Sequence, residues 1–336
     1  MQFQDLQIRL SQLGAREEHA ARLLRNWSRG LALEFGRRPA ASFFPRRLSD
    51  ALAEIAAELA ALASIASRHP APDGSERLLV RLADGQCVES VLLPRQGLCV
   101  STQIGCAVGC RFCATGQSGL LRQLASLEIV AQVVLARALR EVRKVVFMGM
   151  GEPAHNLDAV LEAIAMLGQY ADIAHKNLVF STVGDRRVFE RLPLAAVKPA
   201  LAISLHTTKT GLRAELLPQA PRLTPEELIA LGENYARATG YPIQYQWTLL
   251  KGVNDGDDEI EALARLLAGK YAVMNFIPYN SVAGGEFARP DAERAAAMSL
   301  ALYRRGVLTK LRQSAGEDID GACGQLRARS LHALSA

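Results

Sequence analysis

The sequence predicts an α/β protein built on six β-α units of a parallel sheet, open or curled into a partial barrel, and preceded by an α-helical segment. Three observations carry this prediction. From Cys99 onward, six short apolar runs alternate with helix-length stretches. The first seventy or so residues lack such runs and place their apolar residues at helical spacing. Polar or glycine-rich clusters follow the apolar runs at their C-terminal ends, where ligands gather in folds of this class.

Taken in order, residues up to about Ser67 are rich in Ala, Leu and Arg, as in "LSDALAEIAAELAALASIA", and read as a helical module. The segment "SRHPAPDGSE", with two prolines and a glycine, breaks that pattern and places the main boundary, giving a module of residues 1–70 and a second unit of residues 77–336. "RLLVRLADGQCVESVLLP" is two apolar runs around Asp84-Gly85, a hairpin signal. The strand candidates are "LCVST", "KVVFM", "NLVFST", "ALAISLH", "IQYQWTLL" and "AVMNFIP". Helices lie between them, one after Ser126 and one at Thr224-Pro225-Glu226-Glu227, a capping box with proline at the first helical position.

At 336 residues, 49% hydrophobic and 22% charged, the chain has the balance of an ordinary globular protein, and its composition does not indicate disorder. Its formal charge of +5 permits a polyanionic partner without requiring one. The N-terminal "MQFQDLQIRLSQLG" carries Asp5 and Arg9 among its apolar residues, so neither a signal peptide nor a membrane span is expected there. No other stretch is long enough without charge to cross a bilayer. The expected location is the cytoplasm, where thiols stay reduced and clustered cysteines point to metal binding or catalysis.

Such a cluster is present in "CVSTQIGCAVGCRFC", which holds four of the six cysteines. Cys106, Cys110 and Cys113 form C-x3-C-x2-C on a loop leaving the first strand of the parallel set. A soft thiolate triad suits an iron-sulfur cluster or zinc. Zinc needs a fourth ligand, and neither a nearby CxxC nor a His pair supplies it; His155, His175 and His206 are scattered. On a four-iron cluster, three cysteines leave one iron open to a substrate or cofactor.

This pattern, with Phe112 before its last cysteine, resembles the radical S-adenosylmethionine (SAM) superfamily. The resemblance narrows to the RlmN/Cfr-type radical-SAM RNA adenosine methyltransferases through "LCVSTQIGCAVGCRFCATG", "FMGMGEP", "LAISLH", "LLKGVND", "NFIPYN" and "DIDGACGQL", in that order from about Glu89 to Gln325. It implies a partial (β/α)6 radical-SAM barrel with an N-terminal helical module, a [4Fe-4S] cluster on Cys106, Cys110 and Cys113, and SAM on the open iron. It also implies that SAM is bound by Gly151, Glu152, Ser181, Ser204, Leu205, His206 and Asn280. Gly149 and Gly151 are expected to admit backbone close to the methionine portion, and Glu152 to meet its ammonium.

The same resemblance gives Cys323 the methyl group of a first SAM, and a second SAM yields the radical that activates the S-methyl carbon for addition to an adenine carbon. Glu89 matches the proton acceptor. Cys99 matches the cysteine that releases the product by forming a disulfide with Cys323. The implied partners are ribosomal or transfer RNA and an electron donor such as flavodoxin, with no membrane and a monomeric chain. Cys87 has no match and reads as a small core residue. Arg22, Arg25, Arg37, Arg38, Arg46 and Arg47 in the helical module can meet phosphate or simply be solvated.

The chain departs from the family in that module and in "ELLPQAPR", where the usual segment reads P-I-N. These departures leave the target RNA, and the choice between carbon 2 and carbon 8, open. Two other readings are a radical-SAM enzyme acting on a non-RNA substrate and a non-enzymatic zinc or RNA-binding protein.

Overall fold

Apolar periodicity builds the N-terminal helices α1 (Phe3–Gln12), α2 (Glu17–Ser28), α3 (Ala40–Phe43) and α4 (Arg46–Ala61). On α4, Leu48, Leu52, Ile55 and Leu59 recur at three- and four-residue steps and are buried together. The computed structural model describes residues 1–117, 119–281 and 285–312.

The helical reading ends earlier than expected. Ala63–Pro70 is strand β1, paired antiparallel with β2 (Glu76–Leu82), and "PAPDG" is the turn between them, closed by Ala71 N donating to Ser75 O at 2.9 Å. The hairpin around Asp84-Gly85 joins β2 to β3 (Cys87–Leu93), as predicted. β4 (Gly97–Cys99) pairs antiparallel with β3 and opens the parallel set.

The remaining elements alternate. They are β5 (Gln103–Gly105), α5 (Ala114–Gln117), β6 (Leu120–Gln123), α6 (Ser126–Arg137), β7 (Lys144–Phe147), α7 (Leu157–Tyr170), β8 (Leu178–Thr182), α8 (Arg186–Arg191), β9 (Ala200–Ser204) and α9 (Thr210–Leu216). After these come α10 (Pro225–Thr239), β10 (Ile243–Leu249), α11 (Asp257–Leu267), β11 (Ala272–Pro278), α12 (Ala292–Arg304) and β12 (Thr309–Leu311). One ten-stranded sheet runs β1-β2-β3-β4-β7-β8-β9-β10-β11-β12, parallel from β4 onward, while β5 and β6 form a separate antiparallel pair. The six predicted strands are therefore adjacent and in chain order, and β12 adds a short seventh that the sequence reading missed. The capping box of α10 is formed: Glu227 N donates to Thr224 Oγ1 at 3.2 Å, and Thr224 N donates to Glu227 Oε2 at 2.9 Å.

Alternation along the parallel strands divides two environments. Val145, Phe147, Phe180, Ile203, Tyr245, Trp247 and Phe276 join the main core. Cys99, Val146, Val179, Ala200 and Ala202 form a second apolar cluster with Val91, Leu93 and Met148 on the inner face of the sheet. The helical module is tied to the barrel's outer helices. Gln2 Oε1 accepts from Ser126 N at the start of α6, and Arg137 donates to the carbonyls of Ser28, Val142 and Ala171. No described helix is long and apolar enough to cross a membrane.

Candidate active site

Beyond β4 the chain passes through residues 100–102 into β5, and the connection from β5 to β6 carries the three cysteines. That connection is tight. Gly105 has φ +78°, and a Cβ there would lie 1.9 Å from Gly119 O. Cys106 N donates to the same carbonyl at 2.9 Å, and Cys113 N to Cys110 O at 3.0 Å.

A cavity of about 320 Å³ lies between this loop and the C-terminal ends of the strands. It is lined by Cys106, Cys110, Phe112 and Cys113 on one side and by Gly149, Gly151, Glu152, Ser181, Ser204, His206, Thr248 and Asn280 on the other. The expected rim of motifs is thus one surface. The two glycines have a further reason to be there: a Cβ on Gly149 would meet Val100 O at 2.7 Å, and one on Gly151 would meet the Gln103 side chain at 2.6 Å. They let the loop after β7 lie against the strand that leads to the cysteines. Leu205 differs from the other expected residues. Its side chain is fully buried in the main core, and it is not one of the residues lining the cavity.

The site's electrostatics demand a cation. Burial pushes the Cys106 thiol up to about 12, helped by the negative charges of Glu152 and Cys113. Cys110 is also pushed up, by burial and then by Cys113 and Cys106. Bound metal would stabilise these sulfurs as thiolates. No three His, Cys, Asp or Glu groups among the described residues are close enough to hold one ion. Three cysteines at C-x3-C-x2-C spacing lining one cavity suit a multi-iron cluster, on which each would bind its own iron.

Glu152 is buried, and its carboxyl is pushed up to about 7 by that burial. Its oxygens accept from Ala154 N at 3.1 Å and Val183 N at 3.0 Å. Asn280 Oδ1 is a buried acceptor with no partner on the cavity wall. An ammonium or hydroxyl donor brought in by a ligand would satisfy both residues.

Three buried residues shape the far wall. His206 has a left-handed φ of +63° and is held neutral, its pKa pulled down to about 3 by burial and by Arg213. Its Nδ1 accepts from Thr248 N at 2.9 Å, and its ring lies 4.8 Å from that of Phe112. Asn254 fixes that backbone by donating to His206 O at 2.7 Å and Thr248 O at 2.8 Å while accepting from Leu250 N at 2.7 Å. Arg213 donates to the carbonyls of Val183 and Ser204 and sets a cation beside Cys110 and Glu152. The sequence reading assigned no role to Asn254 or Arg213. Asn254 lies in the quoted "LLKGVND", whereas nothing in "GLRAELL" marks a buried arginine.

Cys99 and Glu89 lie deeper. Cys99 is buried among the inner-face residues and pairs in register with Val91 and Val146. Glu89 precedes Val91 by two residues on the same face of β3, and its Oε2 is 3.8 Å from Nη1 of the buried Arg77. Cys323 lies outside the described residues, so its pairing with Cys99 does too; no disulfide joins two described cysteines.

A model of the radical SAM superfamily matches residues 100–267. A probable RNA methyltransferase of Aromatoleum aromaticum is 68% identical over 329 residues, covering 98% of this chain and 93% of that protein. Another, of Methylibium petroleiphilum, is 67% identical over 332 residues, covering 98% and 94%. The crystal structure of a radical SAM methyltransferase from Sphaerobacter thermophilus superposes with a TM-score of 0.82 at 35% identity, over 97% of both chains. The partial barrel and its cysteine loop are thus those of a radical SAM enzyme, a class whose cofactors are SAM and a [4Fe-4S] cluster. Within that superfamily, the chain belongs to the methyltransferase family of these relatives.

Proposed function

We propose that this chain is an RlmN/Cfr-type enzyme that methylates an adenine ring carbon, carbon 2 or carbon 8, in ribosomal or transfer RNA. The observation that carries this reading is the placement of Cys99 and Glu89 on the same inner face of the sheet, below the cysteine-lined cavity. Most radical-SAM chemistry needs no pair of cysteines such as Cys99 and Cys323. The relatives named as probable RNA methyltransferases support RNA as the substrate.

Cys106, Cys110 and Cys113 would hold the cluster. Glu152 would take the ammonium of SAM, with Ser181, Ser204, His206 and Asn280 around the rest. When bound, these cofactors would supply a methyl group and a carbon radical, and would take back the one electron left over once the radical has added to the ring. The chain's own residues do the remaining work. Cys323 carries the methyl carbon to the adenine, and Glu89 takes the proton that the ring carbon loses. The Cys99 thiolate then attacks the sulfur of Cys323, forming the S–S bond as the sulfur–carbon bond breaks, and the freed carbon takes a proton to become the product methyl. The apolar lining around Cys99 excludes water and other thiols from that step.

Mass spectrometry of ribosomal and transfer RNA from cells with and without the gene tests the reading. A methyladenosine that disappears with the gene is expected. If every methyladenosine persists, the RNA reading fails while the radical-SAM family stands.

A further inference from the structure

Below Cys99 the inner face of the barrel becomes cationic. Lys144 has the parity of Val146 on β7 and of Met148 just beyond it, so its side chain belongs to the inner face. Lys310 is the register partner of Asn275 on β11, an inner-face position between the core residues Met274 and Phe276, and Arg312 repeats its parity two residues on. Arg312 Nε donates to Asn275 Oδ1 at 2.9 Å. Asn275 is fully buried, and its Nδ2 has no acceptor.

β7 and β12 stand five strands apart in the sheet. Inner-face parity places all three on the inside of the curled sheet, and the Lys144 ammonium is pushed down by burial and then by the charges of Arg312 and Lys310. None of the three is ion-paired to a carboxylate among the described residues. The set consists of donors only, three cations and an amide N–H, and oxygens of an anion complete it.

We propose that Lys144, Lys310 and Arg312 form a phosphate subsite on the inner face of the barrel, outside the cysteine-lined cavity, which seats the phosphate of the target nucleotide and directs its base toward Cys99. This rests on the RNA reading above for its substrate. The spacing fits: Cys99 pairs with Val146, two residues along the strand from Lys144, a rise of about 7 Å. That is the scale of the reach from phosphate to base within one nucleotide.

The test is calorimetric titration of the cluster-loaded full chain with adenosine 5′-monophosphate, adenosine and inorganic phosphate, at low and high salt. The monophosphate should bind at least about tenfold more tightly than adenosine, with the gap narrowing in salt. Lys144→Gln, Lys310→Gln and Arg312→Gln should each shrink that gap, and Lys144→Arg and Lys310→Arg should keep it. Iron content and unfolding temperature identify any variant that fails to fold, and the Arg variants then carry the comparison. Equal binding of monophosphate and adenosine by the wild type, or an undiminished gap in all the Gln variants, overturns the proposal. So does inorganic phosphate that binds as tightly as the monophosphate, because the base would then contribute nothing. Glu317, Asp318 and Asp320 lie outside the described residues. If the monophosphate binds only after they are neutralised, the cations serve the chain's own acidic stretch and the proposal falls. A cation-dependent gap without any gene-dependent methyladenosine keeps the subsite and removes the RNA reading. Gene-dependent methyladenosine with equal RNA affinity in wild type and Gln variants does the reverse.

Discussion

Glu152 ties the chemistry of the site to pH. Its carboxyl ionises at an ordinary 4.5 in the unfolded chain and at about 7 in the fold, because burial penalises the charge. Between those values the native state keeps a proton that the unfolded state has released, so Glu152's contribution to stability falls as pH rises from about 4.5 to about 7. The loss is on the order of 3 kcal/mol, and a bound ammonium offsets it by pairing with the ionised form. SAM should therefore bind about fivefold more tightly at pH 7 than at pH 6, the change in the ionised fraction of Glu152 across a window in which an α-ammonium still keeps its proton. Glu152→Gln should bind more weakly and with no slope; a wild-type affinity that is flat with pH would remove Glu152 from the SAM site. At this scale the sequence was most legible where a residue's chemistry is rare. Three cysteines and a glutamate in "GMGEP" stand out, while Arg213 and Asn254 act through backbone carbonyls that only the fold brings to them.

Elements were legible where local pattern and final environment agree. The runs "KVVFM" and "AVMNFIP" are apolar because both faces of a parallel strand are covered. β1 was misread because its Ala63–Ser67 stretch continues the alanine-rich run of α4, and only pairing with β2 makes it a strand. β5 and β12 are three residues each, too short to show any period. The β5–β6 pair nonetheless sets the cysteine loop, and Gly105 is where that dependence is sharpest. Gly105→Ala adds about 1–3 kcal/mol for its left-handed backbone and drives a Cβ into Gly119 O. The loop must open, so reconstituted protein should hold less than about half the wild-type iron and melt at lower temperature. Gly85→Ala is the control: its φ is +83°, but nothing lies within 4 Å of the added Cβ. It should lower the melting temperature and keep its iron. Full iron in Gly105→Ala would show that the pair does not position the ligands.

The whole molecule brings distant parts of the chain onto one axis. Cationic side chains from β7 and β12, Cys99 from β4, Glu89 from β3 and the cysteine loop follow one another along the inner face of a single curled sheet. The sequence order of the strands predicted that sheet, but not which residues share its interior, because parity and curl are set by pairing. Cys99 and Cys323 are 224 residues apart, and the proposed reaction gives them opposite tasks. Cys323 receives the methyl before any bond to RNA forms, so Cys323→Ala should leave RNA untouched and form no covalent complex. Cys99 acts only after that bond exists, so Cys99→Ala should hold the protein on its RNA through Cys323. Two sulfurs that close a disulfide need Cα atoms within about 7 Å, and the buried, apolar position of Cys99 means that the segment bearing Cys323 must enter the barrel to reach it. If the two cysteines were merely core residues, each alanine would cost stability alone, about 1 kcal/mol or a little more for a small cavity, and neither variant would trap RNA. Denaturing gels of both variants, incubated with RNA, SAM and a reductant, distinguish these outcomes. An RNase-sensitive upshifted band is expected in Cys99→Ala and absent from Cys323→Ala and from the double variant. Its absence from a Cys99→Ala preparation with full iron would refute the division of labour between the two sulfurs.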